Sequence, residues 1–206
     1  MNDVDEQDII LEFLASNPDM LSSRKKVKPD PGSIEGQDEI RRVIAVAQDK
    51  TSLPKKPKTT PDEAVSIILR DYYDIPTQLL DRIKEEHQLS MSAENIVGEL
   101  LEDYIRHTSN SVSAGWVRAH GDVVKSVDFI KKVGDDWELL QIKNRDNSEN
   151  SSSQSVRDGT IIKRWFRTFS KTGNTNWDNF PDTVMGSALS EAGFQKHISE
   201  YLAENK

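Results

Sequence analysis

Residues 127–145 read VDFIKKVGDDWELLQIKNR, and the way they pair decides the fold. Val127–Lys132 has the β-branched and aromatic content of a strand. Gly134, Asp135 and Asp136 form a tight-turn signal, and Trp137–Lys143 is a second strand, so the stretch predicts a hairpin. Successive strand residues point to opposite faces. Trp137, Leu139, Gln141 and Lys143 therefore share one face, and Glu138, Leu140 and Ile142 the other. Asp128 projects with Ile130. Folding at the turn brings Asp128 near the far end of the partner strand, within reach of Gln141 to Lys143.

An acid, an amide and an ammonium at the mouth of a sheet have a chemical use. Mg²⁺ takes hard oxygen ligands and commonly only one or two carboxylates. Asp128 offers one oxygen, the Gln141 side-chain carbonyl an uncharged second, and the backbone carbonyl of Ile142 a third. Lys143 can stabilise an attacking water or the charge on a pentavalent phosphate. This is an outfit for phosphodiester hydrolysis. The spacing Asp-x12-Gln-x-Lys is short and degenerate, and an Asp before one strand with a Lys after another is common in α/β proteins.

Working outward, the next residues are NRDNSENSSS (144–153), a polar loop that extends to 156. Arg157–Phe169 reads as a helix with Ile161, Ile162, Trp165, Phe166 and Phe169 on one stripe, 170–182 as a loop, and Leu189–Leu202 as a closing amphipathic helix whose Phe194, Ile198, Tyr201 and Leu202 suit either core or interface. Upstream, Gly115–His120 can form a strand. Helices are predicted over 5–20, 35–50, Asp62–Tyr73, Thr77–His87 and Ser92–Ile105. TSLPKKPKTTP (51–61) is a hinge by its Pro and Lys content. The expected organisation is a helical and linker region over 1–60 followed by a domain over 61–206. Its class is α/β: a mixed sheet flanked by helices, with a helical N-terminal addition.

Composition narrows the setting. The chain has 206 residues and no cysteine, which excludes disulfides and thiolate metal sites and makes a reducing cytoplasm the simplest location. No apolar run approaches the length of a membrane span. The net charge of −8 is unevenly spread: residues 1–113 carry −8, 114–171 carry +3, and 172–206 carry −3. The one basic segment holds the hairpin, and a local basic face can hold a phosphate backbone inside an acidic chain.

Asp128 followed by QIK at 141–143 resembles the PD-(D/E)XK nuclease superfamily, with Gln141 in place of the usual acid and Val127 in place of the usual proline. Longer blocks are more specific. SAENIVGELLEDYI (92–105), GDVVKSVDFI (121–130), WELLQIKNRDNSENSSS (137–153), RDGTIIKRWFRTFS (157–170) and TNWDNFP (175–181) resemble the SinI family of type II restriction endonucleases. Residues 1–60 carry none of these blocks. The resemblance implies a restriction-endonuclease-like core, a homodimer, and Mg²⁺-dependent cleavage of double-stranded DNA. It implies the site GGWCC, where W is A or T, cut after the first G, and a cognate DNA methyltransferase as genetic partner.

It also gives roles to residues. A helix acid often joins the metal site in this superfamily; Glu102 is preferred over Glu99, which lies farther from the apolar stripe. Asn144, Arg145, Asp146 and Asn147 directly follow Lys143 and so fall near the scissile phosphate or the groove. Arg145 suits guanine and the asparagines adenine. Ser151 and its neighbours suit phosphates, although Ser/Asn-rich runs are commonly disordered surface loops. Arg157, Lys163, Arg164 and Arg167 are expected on a basic helix edge that contacts the backbone. Trp165, Phe166 and Phe169 read as core, and His107 and His120 as structural. Two other readings share these residues: a junction-resolving or repair nuclease of the same fold, and a non-catalytic DNA-binding module.

Overall fold

The computed structural model describes residues 3–22, 29–49, 52–55, 62–120, 123–146 and 161–205. Two compact units divide the chain: Met1–Thr51 with Leu101–Lys206, and Ser52–Leu100. The predicted N-terminal helices therefore belong to the same unit as the sheet.

Four strands form a mixed sheet in the order β1-β2-β3-β4, with β1 Val117–Arg118, β2 Phe129–Val133, β3 Asp136–Arg145 and β4 Ile162–Thr168. The hairpin forms as its sequence dictates. Val133 pairs with Asp136 and Phe129 with Leu140, antiparallel. The two-residue loop between them begins at Gly134 with φ +62°, the position where a II′-type hairpin turn requires a residue free of a Cβ. β1 pairs antiparallel with β2, Arg118 opposite Phe129.

The fourth strand corrects the sequence reading. Residues 162–168 are not a helix but a strand parallel to β3, with Gln141 opposite Arg164 and Lys143 opposite Phe166. A short apolar run does not distinguish strand from helix by period alone. The aromatic and β-branched content of IKRWFRT favours the pleated surface, and two members of the supposed helical stripe face solvent, Ile161 at 68% and Phe169 at 37%. Lys163, Arg164 and Arg167 accordingly sit on a strand rather than a helix edge.

One face of the sheet is covered by α1 (Asp3–Ser16) and α2 (Ile34–Gln48). Ile10, Phe13, Leu14, Ile40 and Ile44 pack there with Val117, Ile130, Leu139 and Ile162. α2 is started by Ser33, whose hydroxyl accepts from Gly36 N at 3.0 Å. A buried polar junction ties these helices to the chain beyond residue 101. Glu6 is fully buried and accepts from Arg106 Nε at 3.0 Å, Asn110 Nδ2 at 3.1 Å and Gln48 Nε2 at 3.4 Å. A buried carboxylate persists only when it is paired and hydrogen-bonded in this way.

α3 is Glu63–Asp71, capped by Asp62 through Ala64 N. The two helices predicted over 77–87 and 92–105 are one, α4, Thr77–Ser111. Neither Pro nor Gly stands between them, so Ser90 and Ser92 lie inside the helix, where Ser92 is buried. Beyond β4 the expected loop contains a 3₁₀ turn, Trp177–Asn179; a short helix that was not expected, α5, Thr183–Ala188, follows it, and the expected closing helix is α6, Glu191–Asn205. Trp165, Trp177, Phe180, Tyr104 and Phe194 form an aromatic cluster with neighbouring centroids 5.1–6.2 Å apart, within the range for favourable edge and offset contacts. Trp165 is thus core, as its sequence context indicates.

Candidate active site

β3 outlasts β2 at one end of the hairpin, and charged groups gather there. Asp128 N donates to Leu140 O at 3.0 Å, completing the ladder. Its side chain then takes the place of the next strand residue: Oδ2 accepts from Ile142 N at 2.7 Å. The carboxylate is thereby held against β3 one residue before Lys143. A strand residue turns its N–H and C=O toward the same neighbour, so the Ile142 carbonyl leaves β3 on the side where Asp128 sits.

Gln141 is buried and donates from Nε2 to Ser126 O at 3.4 Å. Ser126 adopts φ +61°, a left-handed conformation unusual for a residue with a Cβ. Lys143 is half-buried; among the described residues no hydrogen bond or ion pair holds its ammonium, yet its charge acts on both neighbouring acids.

The second acid is Glu102, on α4. Burial first, then the adjacent charge of Asp128, push its carboxyl up to about 7, against the opposing pull of Arg118 and Lys143. Burial also raises Asp128, opposed by the Ile142 N–H, Lys143 and Arg118. Two acids in one desolvated place cannot both ionise cheaply. The structure brings Glu102 beside Asp128, while Glu99 accepts a hydrogen bond from Ser52.

Arg118 is the residue that sequence reasoning missed. Its Nε and NH2 both donate to Glu102 Oε2, at 3.0 and 2.8 Å, and its charge reaches Asp128. It comes from a two-residue strand. The only sequence signal was a cation between the buried Val117 and Ala119.

The residues expected to face DNA divide into three sets. Asn147, Ser151 and Arg157 lie outside the described residues. Several others are held by the protein itself. Asn144 Oδ1 accepts from Arg167 Nε at 2.9 Å, and Arg167 NH1 donates to both Glu191 oxygens at 2.6 and 2.8 Å. Asp146 Oδ1 accepts from Ser170 N at 2.8 Å, its backbone carbonyl accepts from Arg164 NH2 at 2.9 Å, and Lys163 pairs with Glu138 at 2.9 Å. Arg145, at the end of β3, is exposed.

The polar groups gathered at this end of β3 include two carboxylates, a side-chain amide and a backbone carbonyl. No group of three or more His, Cys, Asp and Glu is gathered at metal-binding spacing among the described residues. A mixed sheet flanked by helices, with acids and a lysine at the end of its central hairpin strand, has the organisation of a restriction-endonuclease-like core. The chain belongs to the SinI restriction endonuclease family, whose profile matches residues 3–204. The match thus includes residues 3–60, which carry none of the recognisable blocks. The chain is 44% identical over 200 residues to the type II restriction enzyme Eco47I of Escherichia coli, covering 95% of this chain and 85% of that enzyme. It is 45% identical over 205 residues to the type II restriction enzyme SinI of Salmonella infantis, covering 96% and 86%. No helix among the described residues is long and apolar enough to cross a membrane.

Proposed function

We propose that the chain is a type II restriction endonuclease that cuts both strands of duplex DNA at a site resembling GGWCC, after the first G, with Mg²⁺ as cofactor. The carrying observation is the meeting of Glu102, Asp128 and Lys143 at the end of β3, in a chain about 45% identical to two type II restriction enzymes.

Asp128, Glu102, the Gln141 amide oxygen and the Ile142 carbonyl are the groups that would hold the metal. Bound there, Mg²⁺ supplies Lewis-acid stabilisation of phosphate charge and lowers the pKa of a nearby water. In the hydrolysis itself, a water oxygen adds to phosphorus in line with the leaving group. The bond from phosphorus to the 3′ oxygen breaks, and that oxygen takes a proton, leaving 5′-phosphate and 3′-hydroxyl ends. Lys143 stabilises the negative charge that grows on the phosphate oxygens. Asp128, fixed by the Ile142 N–H, keeps its position through the reaction because the ladder of β3 holds it. The exposed Arg145, one residue past Asn144, is the first candidate for reading guanine.

The test is incubation of the protein with a long duplex and Mg²⁺. Discrete fragments whose ends read back to one sequence support the proposal, and ends at GGWCC support the finer part. Cutting confined to branched DNA would point to a junction nuclease, and binding with no cutting to a module that has lost catalysis. A methyltransferase gene beside this one is the expected genetic companion.

A further inference from the structure

The unit Ser52–Leu100 places its polar and apolar residues in reverse. Toward α4, α3 presents Ser66, which is buried and receives a hydrogen bond from Lys84 Nζ at 3.0 Å. Away from it, Val65, Ile67, Ile68 and Tyr72 are 46, 48, 55 and 76% exposed, followed by Tyr73 at 61% and Leu79 at 42%. At about 3.6 residues per turn, Ile67, Ile68, Tyr72, Val65 and Ala64 fill the arc of α3 turned from Ser66, and Asp71 is the single charge among them. The rings of Tyr72 and Tyr73 meet edge to face at 4.9 Å, so they already form one surface.

At roughly 150–200 Å² for a whole large apolar side chain, these six leave on the order of 500–650 Å² of apolar surface in water. A protein–protein interface of ordinary size buries about 800 Å² per partner, a little over half of it apolar. The patch therefore has the extent of one side of a stable interface. Nucleic acid does not fit it. Residues 62–100 hold 3 basic and 9 acidic side chains, and each basic one is occupied: Arg70 by Asp71 at 2.6 Å, Arg82 by Glu86 at 2.7 Å, and Lys84 by Asp81 at 3.3 Å.

We propose that this outward face of α3, with Tyr73 and Leu79, is the surface through which two copies of the chain associate. The choice of a second copy rests on the proposed nuclease reading: cutting two antiparallel strands at a two-fold site calls for two centres related by a two-fold axis. A two-fold contact sets each α3 face against its own copy. The acidic surroundings of the two faces repel, so burial of apolar surface drives the association and added salt strengthens it by screening. DNA binding responds to salt in the opposite direction.

The experiment is sedimentation of the full chain without DNA, over a concentration series at low and high NaCl. Wild type is expected to reach dimer mass, with a dissociation constant that falls as salt rises. Ile68→Glu combined with Tyr72→Glu alters exposed positions only and should raise that constant at least ~100-fold, as charging two central contacts does, with the circular dichroism spectrum unchanged. Val46→Glu, 73% exposed on α2, is the control and should dimerise as wild type. Wild type that stays monomeric across the series would overturn the proposal. So would a double variant that dimerises normally, or one that loses DNA affinity at unchanged mass. Lys143→Ala separates the two readings: it should dimerise normally, and if it still cleaved DNA the nuclease site would be misassigned while the mass measurements stood.

Discussion

Two sets of carboxylates in this molecule are treated in opposite ways. Asp182 and Glu191 lie in corners built to keep them charged. Asp182 takes Lys131 Nζ at 2.6 Å and Trp116 Nε1 at 3.0 Å, and caps α5 through Val184 and Met185 N. Burial alone would raise its pKa, and the lysine and the N–H groups outweigh that and lower it. Glu191 is handled alike by Arg167 and the Trp177 indole. At Glu102 and Asp128 burial wins, both pKa values rise, and the lysine beside them has no hydrogen bond or ion pair among the described residues. A carboxylate that is fully answered by its own protein is scaffold. The pair at Glu102 and Asp128 is answered only in part, by Arg118 and the Ile142 N–H.

The contrast is open to attack in order of effect. Lys143→Ala should lower cleavage at least ~10³-fold, the scale of losing a donor aimed at transition-state charge, while DNA retention in a gel-shift assay stays near wild type. Cleavage at the wild-type rate would remove the distinction altogether. Asp182→Ala should cost about 3 kcal/mol in denaturant unfolding at neutral pH, since it strands Lys131 and uncaps α5. Because the Asp182 pKa is lowered by folding, its contribution is present above the unfolded value near 3.8 and fades as pH falls through the folded one. The gap between variant and wild type should therefore close in acid.

Glu102→Gln should act with the reverse sign. A pKa raised to about 7 from 4.5 means that the metal-free wild type loses stability as pH climbs through that window, and a residue that cannot ionise does not. The variant should gain on wild type by about 1–3 kcal/mol above pH 7 and match it near pH 4.5; melting temperatures that run parallel across the window would show that the two acids are not strained together. Lys163→Ala should be the mildest, under about 1 kcal/mol, because its pair with Glu138 is exposed at 48 and 34%. A larger loss on unfolding would mean that a surface pair had been mistaken for a minor one.

The hairpin was legible because its signals are local. Alternation on both sides of Gly134 set the register, and the register brought Asp128 to Gln141–Lys143. Burial of Trp165 was legible for the same reason. Strand β4 was not, since Ile162, Trp165 and Phe166 satisfy a helical stripe as well as a pleat, and only pairing with β3 decides between them. The break read between His87 and Ser92 rested on Ser92 as a start signal, with no Pro or Gly to end a helix, and α4 runs through. Arg118 was hidden by distance. It meets Glu102 sixteen residues away along the chain, and no period or motif links them.

The junction at Glu6 has a consequence for genetics. Its acceptors hold Arg106 and Asn110, about one and two turns beyond Glu102 on the same helix. A random-mutagenesis screen scored by loss of restriction should therefore recover substitutions at Glu6, Ile10 and Ile44, far upstream of the candidate site. Those lesions would map as a second, upstream cluster and be mistaken for a separate functional domain. They would differ from true site lesions in one respect: cooling or a stabilising suppressor elsewhere in the core would restore them, and neither would rescue Lys143.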